Sequence, residues 1–243
     1  MNYSQAYLKE MGLWPIYRQK SAGLVTQYAA SIVAEVAASG SAKGTNNRRD
    51  EIMNMDWTAL KACVKNCRAC GLRAGCTQTV LGVGDENADW LFVGEGPGVE
   101  EDQRGEPFVG QAGRLLDNML AAIELKRGAN VYIANIVKCR PPGNRNPEPS
   151  EAAQCEPYLA RQIELIQPKL IVALGKVASA NLLATDAPIG ALRGKLHDYR
   201  GIALIATYHP AYLLRSLPDK AKAWVDLVFA RRTIAARGVV GGN

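Results

Sequence analysis

The sequence predicts an α/β fold in which a mainly parallel, four-stranded sheet carries helices on both faces. Three observations predict it. Four short apolar runs, at residues 90–93, 131–133 with 136–137, 170–174 and 203–206, are continuous enough to be buried on both faces. Segments with apolar residues at helical spacing separate them. The chain, 243 residues with 48% hydrophobic and 21% charged, is long enough for one sizeable core and short for two full domains.

Taken in order, residues 23–39 place Leu24, Val25, Tyr28, Ile32, Val33 and Val36 at helical spacing, interrupted by Gln27 and Glu35. This predicts an amphipathic helix and not a membrane span. Residues 38–50 are small, polar and Gly-containing, a linker composition. The expected organisation is therefore an N-terminal helical element and linker over 1–50 and a main domain over 51–243. Asp56 is placed to cap a helix running through Trp57, Leu60 and Val64. The first strand, 90–93, ends in Gly94, and a helix follows over 112–123. The second strand, 131–133 with 136–137, precedes a helix over 150–166. The third ends at Gly175 and leads into a helix to Leu183. The fourth ends at His209-Pro210, and a last helix spans 219–234. In such a sheet a ligand binds outside the carboxyl ends of the strands. Chemistry is therefore expected in 94–98, 135–146 and 209–212.

Composition narrows the function classes. With 29 Lys+Arg against 23 Asp+Glu the formal charge is +6, which suits a polyanionic partner without demonstrating one. Its distribution is more informative. Residues 85–110 hold eight acidic side chains and one basic, whereas 190–232 hold eight Lys/Arg against three Asp. Aromatic residues are 7%, so a base-stacking surface must be small. The opening residues lack the charged-then-apolar pattern of a secretory signal. The six cysteines are then expected in a reducing cytosol, where they more often bind metal than pair.

Gly94-Glu95-Gly96 begins like a dinucleotide turn, but Val99 occupies the third glycine's place, Pro97 lacks an amide donor, and Glu95 and 100–102 would repel a pyrophosphate. Cys67 and Cys70 form a C-x2-C pair that lets two thiolates reach one metal centre. Cys139 and Cys155 can complete a four-sulfur site if the loop between them folds back. Zinc and a [4Fe–4S] cluster both accept such a set, and the wide second pair favours iron and sulfur. Cys63 and Cys76 read as buried or incidental thiols. His209 follows a strand directly and precedes a proline at the expected crevice. Leu213, Leu214 and Arg215 after it suit a wedge into a base stack, or the start of a helix.

In this order, Cys67-x2-Cys70, Gly94-Glu95-Gly96-Pro97-Gly98, Glu101-Asp102, residues 107–110, residues 135–142, Cys155 and His209 to Arg215 resemble the uracil-DNA glycosylase superfamily, specifically its iron–sulfur family 4. The resemblance spans 63 to about 232 and leaves the first 55 residues without a counterpart. It implies a three-layer α/β/α fold and a structural [4Fe–4S] cluster held by Cys67, Cys70, Cys139 and Cys155. It implies a repair enzyme that flips uracil from double- or single-stranded DNA and hydrolyses its N-glycosidic bond. The protein is further expected to be a cytoplasmic monomer without membrane attachment.

Residue by residue, the resemblance gives Phe108 the stack on the flipped base, Asn135 the reading of its edge, and the Gly96 amide a place beside it. Glu101 would shape the side where thymine carries its methyl. His209 would donate to uracil O2 as the bond breaks, and Glu95 would orient water or the cationic sugar. Leu213, Leu214 and Arg215 would enter the minor groove. Lys138, Arg140, Arg145 and Arg193 are candidates for phosphate contacts, against a plain reading as solvated surface. The loop 141–149 lacks the histidine of a branch that becomes trapped on its product. A non-catalytic iron–sulfur DNA-binding or polymerase-associated module of the same fold is the alternative, and an electron carrier would need no Phe108, Asn135 and His209 set.

Overall fold

The computed structural model describes residues 42–239, with side chains over 47–237. The expected helix at 23–39 lies outside them. From Arg49 onward the chain forms one compact unit. The elements are α1 (Ala42–Met53), α2 (Trp57–Lys65), α3 (Leu72–Gly75), β1 (Val83–Gly84), β2 (Trp90–Gly94), α4 (Val99–Arg104), α5 (Gln111–Ala122) and β3 (Val131–Asn135). A 3-10 turn (Pro142–Asn144) precedes α6 (Pro149–Ile166), β4 (Leu170–Leu174), α7 (Gly175–Leu183) and α8 (Ile189–Leu192). Then come β5 (Leu196–Tyr199), β6 (Ile202–Thr207), α9 (Pro210–Leu213) and α10 (Asp219–Val239).

Among the described residues the sheet has six strands in the order β1-β3-β2-β4-β6-β5, two more than the expected four. The four apolar runs form its parallel centre, and β1 and β5 add antiparallel edges. Both additions escape a reading based on buried runs. The first is two residues long, and the second is only partly buried, as an edge strand is. Successive residues of the central strands face opposite layers. Leu91, Val93, Ala134, Ile171 and Leu204 enter one core, while Trp90, Phe92, Ile133, Val172 and Ile205 enter the other. A sheet buried on both faces needs helices on both, which makes the fold three-layered.

Residues 42–53, expected largely as linker, are helical. Tertiary contact outweighs their polar composition at the end of this helix: Ile52 is buried with Leu60, Val64 and Tyr158, and Arg49 pairs with Glu156. Asp56 caps α2 by accepting the Ala59 N–H at 2.8 Å. Among the described residues no helix is long and apolar enough to cross a membrane.

The chain leaves β2 for β3 on one side and β4 for β6 on the other, so the order of connection reverses between β2 and β4. A crevice opens at the carboxyl ends of such a strand pair. Pairing between β2 and β3 continues past their ends, through Ile136 N–H to Gly94 O (3.0 Å) and Val137 N–H to Glu95 O (3.1 Å). This fixes the two segments that leave the sheet there.

Candidate active site

A cavity of about 870 Å³ occupies the crevice, with Glu95, Gly96, Glu101, Phe108 and His209 in its wall. Two glycines make the assembly possible. A Cβ on Gly175 would lie 2.8 Å from His209 Cβ, and one on Gly94 would lie 2.5 Å from both Phe108 Cζ and Asn135 Oδ1. The ring, the carboxamide and the imidazole therefore crowd the ends of β2 and β4.

His209 caps α9, its Nδ1 accepting the Ala211 N–H at 3.1 Å. An amide can only donate, so Nδ1 carries the lone pair and the neutral ring holds its proton on Nε2. Burial lowers the His209 pKa from 6.5 to about 4; Arg215 pushes the same way and Glu101 opposes. The imidazole is thus a neutral N–H donor at pH 7. Its ring lies 5.5 Å from that of Phe108, tilted by 31°.

Asn135 ends β3 and is almost wholly buried. Its Oδ1 has no hydrogen-bond partner. A buried orphan acceptor costs free energy, so its retention points to a partner outside the protein. Glu95 is half-buried, and desolvation raises its carboxyl above the ordinary value. Glu101 is committed to the backbone: Oε2 accepts from Gly98 N–H, and Oε1 from Val109 and Gly110 N–H at 2.9 and 3.1 Å. It shapes the wall by tying two loops together.

Cys139 and Cys155 are buried, Cys67 and Cys70 half-buried, and all six thiols are unpaired. The four expected ligands share one locality: Cys155 feels the fields of Cys67 and Cys70, and Cys139 those of Cys70 and Cys155. Burial raises both of these thiols. Cys76 also lies beside Cys139, close enough to hydrogen-bond with it. Nothing in the spacing of Cys76 announced that position. Cys63 packs elsewhere, 3.6 Å from the Tyr158 hydroxyl.

Residues 81–230 match the model of the uracil DNA glycosylase superfamily. The chain belongs to this superfamily. It is 42% identical over 194 residues to a type-4 uracil-DNA glycosylase of Thermotoga maritima, covering 78% of this chain and 98% of the relative. It is 46% identical over 159 residues to the type-4 uracil-DNA glycosylase of Archaeoglobus fulgidus, covering 62% and 79%. A third type-4 uracil-DNA glycosylase, of Pyrobaculum aerophilum, is 40% identical over 181 residues, covering 71% and 92%.

Within this uracil-DNA glycosylase framework several expected surface residues change place. Leu213 is 1% exposed and packs in the core with Phe108, so it is not a wedge. The register of α9 turns Leu214 outward instead, at 39% exposure, with Arg215 beside it. Lys138 is no phosphate contact either. It continues the buried course of β3, and its Nζ donates to Asn135 O at 2.9 Å and Gln162 Oε1 at 2.6 Å. Arg193 is held by the buried Asp226, and Arg145 by Glu151. Arg140 donates to Asn144 Oδ1. Lys176, at the start of α7 in the cavity wall, is exposed and has no acidic partner among the described residues. Sequence reading missed it, although its position directly after a strand-ending glycine was the available signal.

A four-thiolate donor set is chemically suited to an iron–sulfur cluster or zinc. The donor chemistry fits such a group: the four cysteines share one neighbourhood, Cys139 and Cys155 buried and Cys67 and Cys70 half-buried, and none is in a disulfide, while among the described residues no three potential ligands stand close enough together to hold a metal ion as placed. The fold supplies them from different elements. Cys139 follows β3 by four residues, and Cys155 lies on α6. Asp102 fastens the segment after Cys76 by accepting the Thr77 and Gln78 N–H groups.

Proposed function

We propose that the protein removes uracil from DNA by hydrolysing its N-glycosidic bond, leaving an abasic site, as a step of DNA repair. The observation that carries this reading is the neutral His209 N–H donor facing the cavity beside Phe108, with the unpaired Asn135 carboxamide behind them. The names of the type-4 relatives agree with it.

The chemistry follows from these groups. A uracil flipped into the cavity stacks on Phe108, and the stack offsets part of the few kcal/mol spent on extrusion. Asn135 pairs with its N3–H and O4, a pattern that cytosine lacks. The Gly96 amide adds a contact to the base. As the C1′–N1 bond breaks, its electron pair moves onto uracil N1 and O2. His209 Nε2–H stabilises the growing charge at O2, worth about 2.7–4 kcal/mol for one preorganised donor. Glu95 faces the cationic sugar and orients the water that adds to C1′. Leu214 and Arg215 support the vacated stack, and Lys176, Arg140 and Arg215 meet phosphates.

Cys67, Cys70, Cys139 and Cys155 would hold a [4Fe–4S] cluster, which supplies a rigid cross-link and no step of the hydrolysis. Residues 1–50 are read as a separate element and 51–243 as the glycosylase domain. The protein is read as a monomer acting in a reducing compartment with access to DNA, the cytoplasm.

Incubation with a strand carrying one deoxyuridine should render it alkali-labile at that position, and a thymidine control should stay intact. An intact deoxyuridine strand after treatment with folded, iron-containing protein would favour the non-catalytic DNA-binding module. Iron and acid-labile sulfide should be present and be lost in Cys155→Ser but not in Cys63→Ser. Zinc without sulfide would replace the cluster assignment.

A further inference from the structure

Phe108 has a left-handed backbone, φ +56°, which a bulky residue adopts only when its surroundings hold it there. Three contacts converge on its turn. Arg127 Nη1 donates to Pro107 O at 2.9 Å and Nη2 to Phe108 O at 2.8 Å. Arg127 Nε is itself fixed by Asp117 Oδ1 at 3.0 Å. The Phe108 carbonyl lies so close to α5 that a Cβ on Gly113 would come within 1.8 Å of it. On the following side, Glu101 receives the N–H groups of Val109 and Gly110. Two carbonyls thus face a cation and the next two amides face a carboxylate.

We propose that Arg127 is a positioning residue that sets the Phe108 ring for the base by clamping its left-handed turn. Arg127 lies outside the cavity wall and meets no substrate; it acts through Phe108. A planar fork suits the task, because one guanidinium spans two successive carbonyls and a carboxylate, which a lysine head cannot do. The inference rests on Phe108 serving as the base platform, and its test separates the two readings.

The chain has three phenylalanines, so 4-fluorophenylalanine labelling gives three fluorine resonances, from Phe92, Phe108 and Phe229. In Arg127→Met, which keeps an apolar stem and removes the donors, the Phe108 resonance should move while those of Phe92 and Phe229 stay. Excision should fall about ten- to a hundredfold in kcat/KM, the range associated with loss of one base stack. Affinity for uracil-free duplex should hold, and Arg127→Lys should restore part of the loss. An unmoved Phe108 resonance, or wild-type kcat/KM, in folded Arg127→Met would overturn the proposal. Should that variant fail to fold, Asp117→Asn gives the same test in weaker form: a several-fold loss with a displaced Phe108 resonance supports it, and wild-type values overturn it. If the unaltered protein leaves deoxyuridine intact, the base-removal reading falls, and the Phe108 resonance alone decides the clamp.

Discussion

Lowering the pH from 8 to 5 should leave the excision step blind to His209, because this imidazole stays neutral where an ordinary one titrates. With a pKa of about 4, it is roughly 1% protonated at pH 6, whereas a histidine at 6.5 would be about three-quarters protonated. A mechanism that uses the neutral Nε2–H donor then loses almost nothing at pH 6, and half its active form only near pH 4. The assay is single-turnover cleavage of a deoxyuridine strand across pH 4–8, with His209→Ala alongside. The comparison isolates this group from Glu95, whose carboxyl burial also holds above its ordinary value. The variant should be slower by roughly a hundred- to a thousandfold and lack the step near pH 4. The same shift has a sign for stability. The unfolded chain takes up its proton near 6.5 and the native chain only near 4, so native stability contributed by a neutral His209 is lost as pH falls through that interval. At ~1.4 kcal/mol per tenfold change in proton affinity, this amounts to about 3 kcal/mol relative to His209→Ala. Urea midpoints of the two proteins at pH 7 and pH 4.5 measure most of it. An inflection near pH 6.5 that disappears in His209→Ala would refute the neutral-donor reasoning.

Asn135→Ala should abolish nearly all excision, a hundredfold loss or more, while changing stability by under about 1 kcal/mol, since the orphan Oδ1 gives up no internal bond; single-turnover rates and urea melts on one preparation check both halves. Asp226→Ala should cost about 3–5 kcal/mol by urea unfolding, because it strands Arg193 and leaves the Thr207 hydroxyl without its acceptor at 2.8 Å; an unchanged midpoint would contradict the buried-pair account. Leu214→Ala should slow excision from duplex several-fold and leave single-stranded substrate unaffected, as competition between the two substrates will report.

The legible part of the fold was whatever periodicity or local chemistry encodes. The four central runs, the Asp56 cap and the crevice residues Gly94, Asn135 and His209 each carried their evidence within a few neighbours. What stayed hidden depends on partners distant in sequence. Lys138 has the composition of a surface cation, yet Gln162, 24 residues away, receives its amine in the core. Leu213 and Leu214 are indistinguishable until the register of α9 turns one inward. The helix ending at Met53 owes its end to Tyr158, and Arg127 acquires meaning only beside the Phe108 carbonyl.

The internal locking of Arg193 and Lys138, with Arg145 paired to Glu151 at the surface, has a consequence for how damage is found. Among the described residues it leaves Lys176 and Arg215 as the unpaired cations of the cavity wall, about two contacts, for which the affinity for undamaged duplex should fall with salt at a logarithmic slope of about −2. A grip that light gives short dwell times on ordinary sequence. The molecule then surveys a genome by many brief, independent landings instead of long one-dimensional excursions, and its residence is prolonged only where a base leaves the helix and enters the cavity.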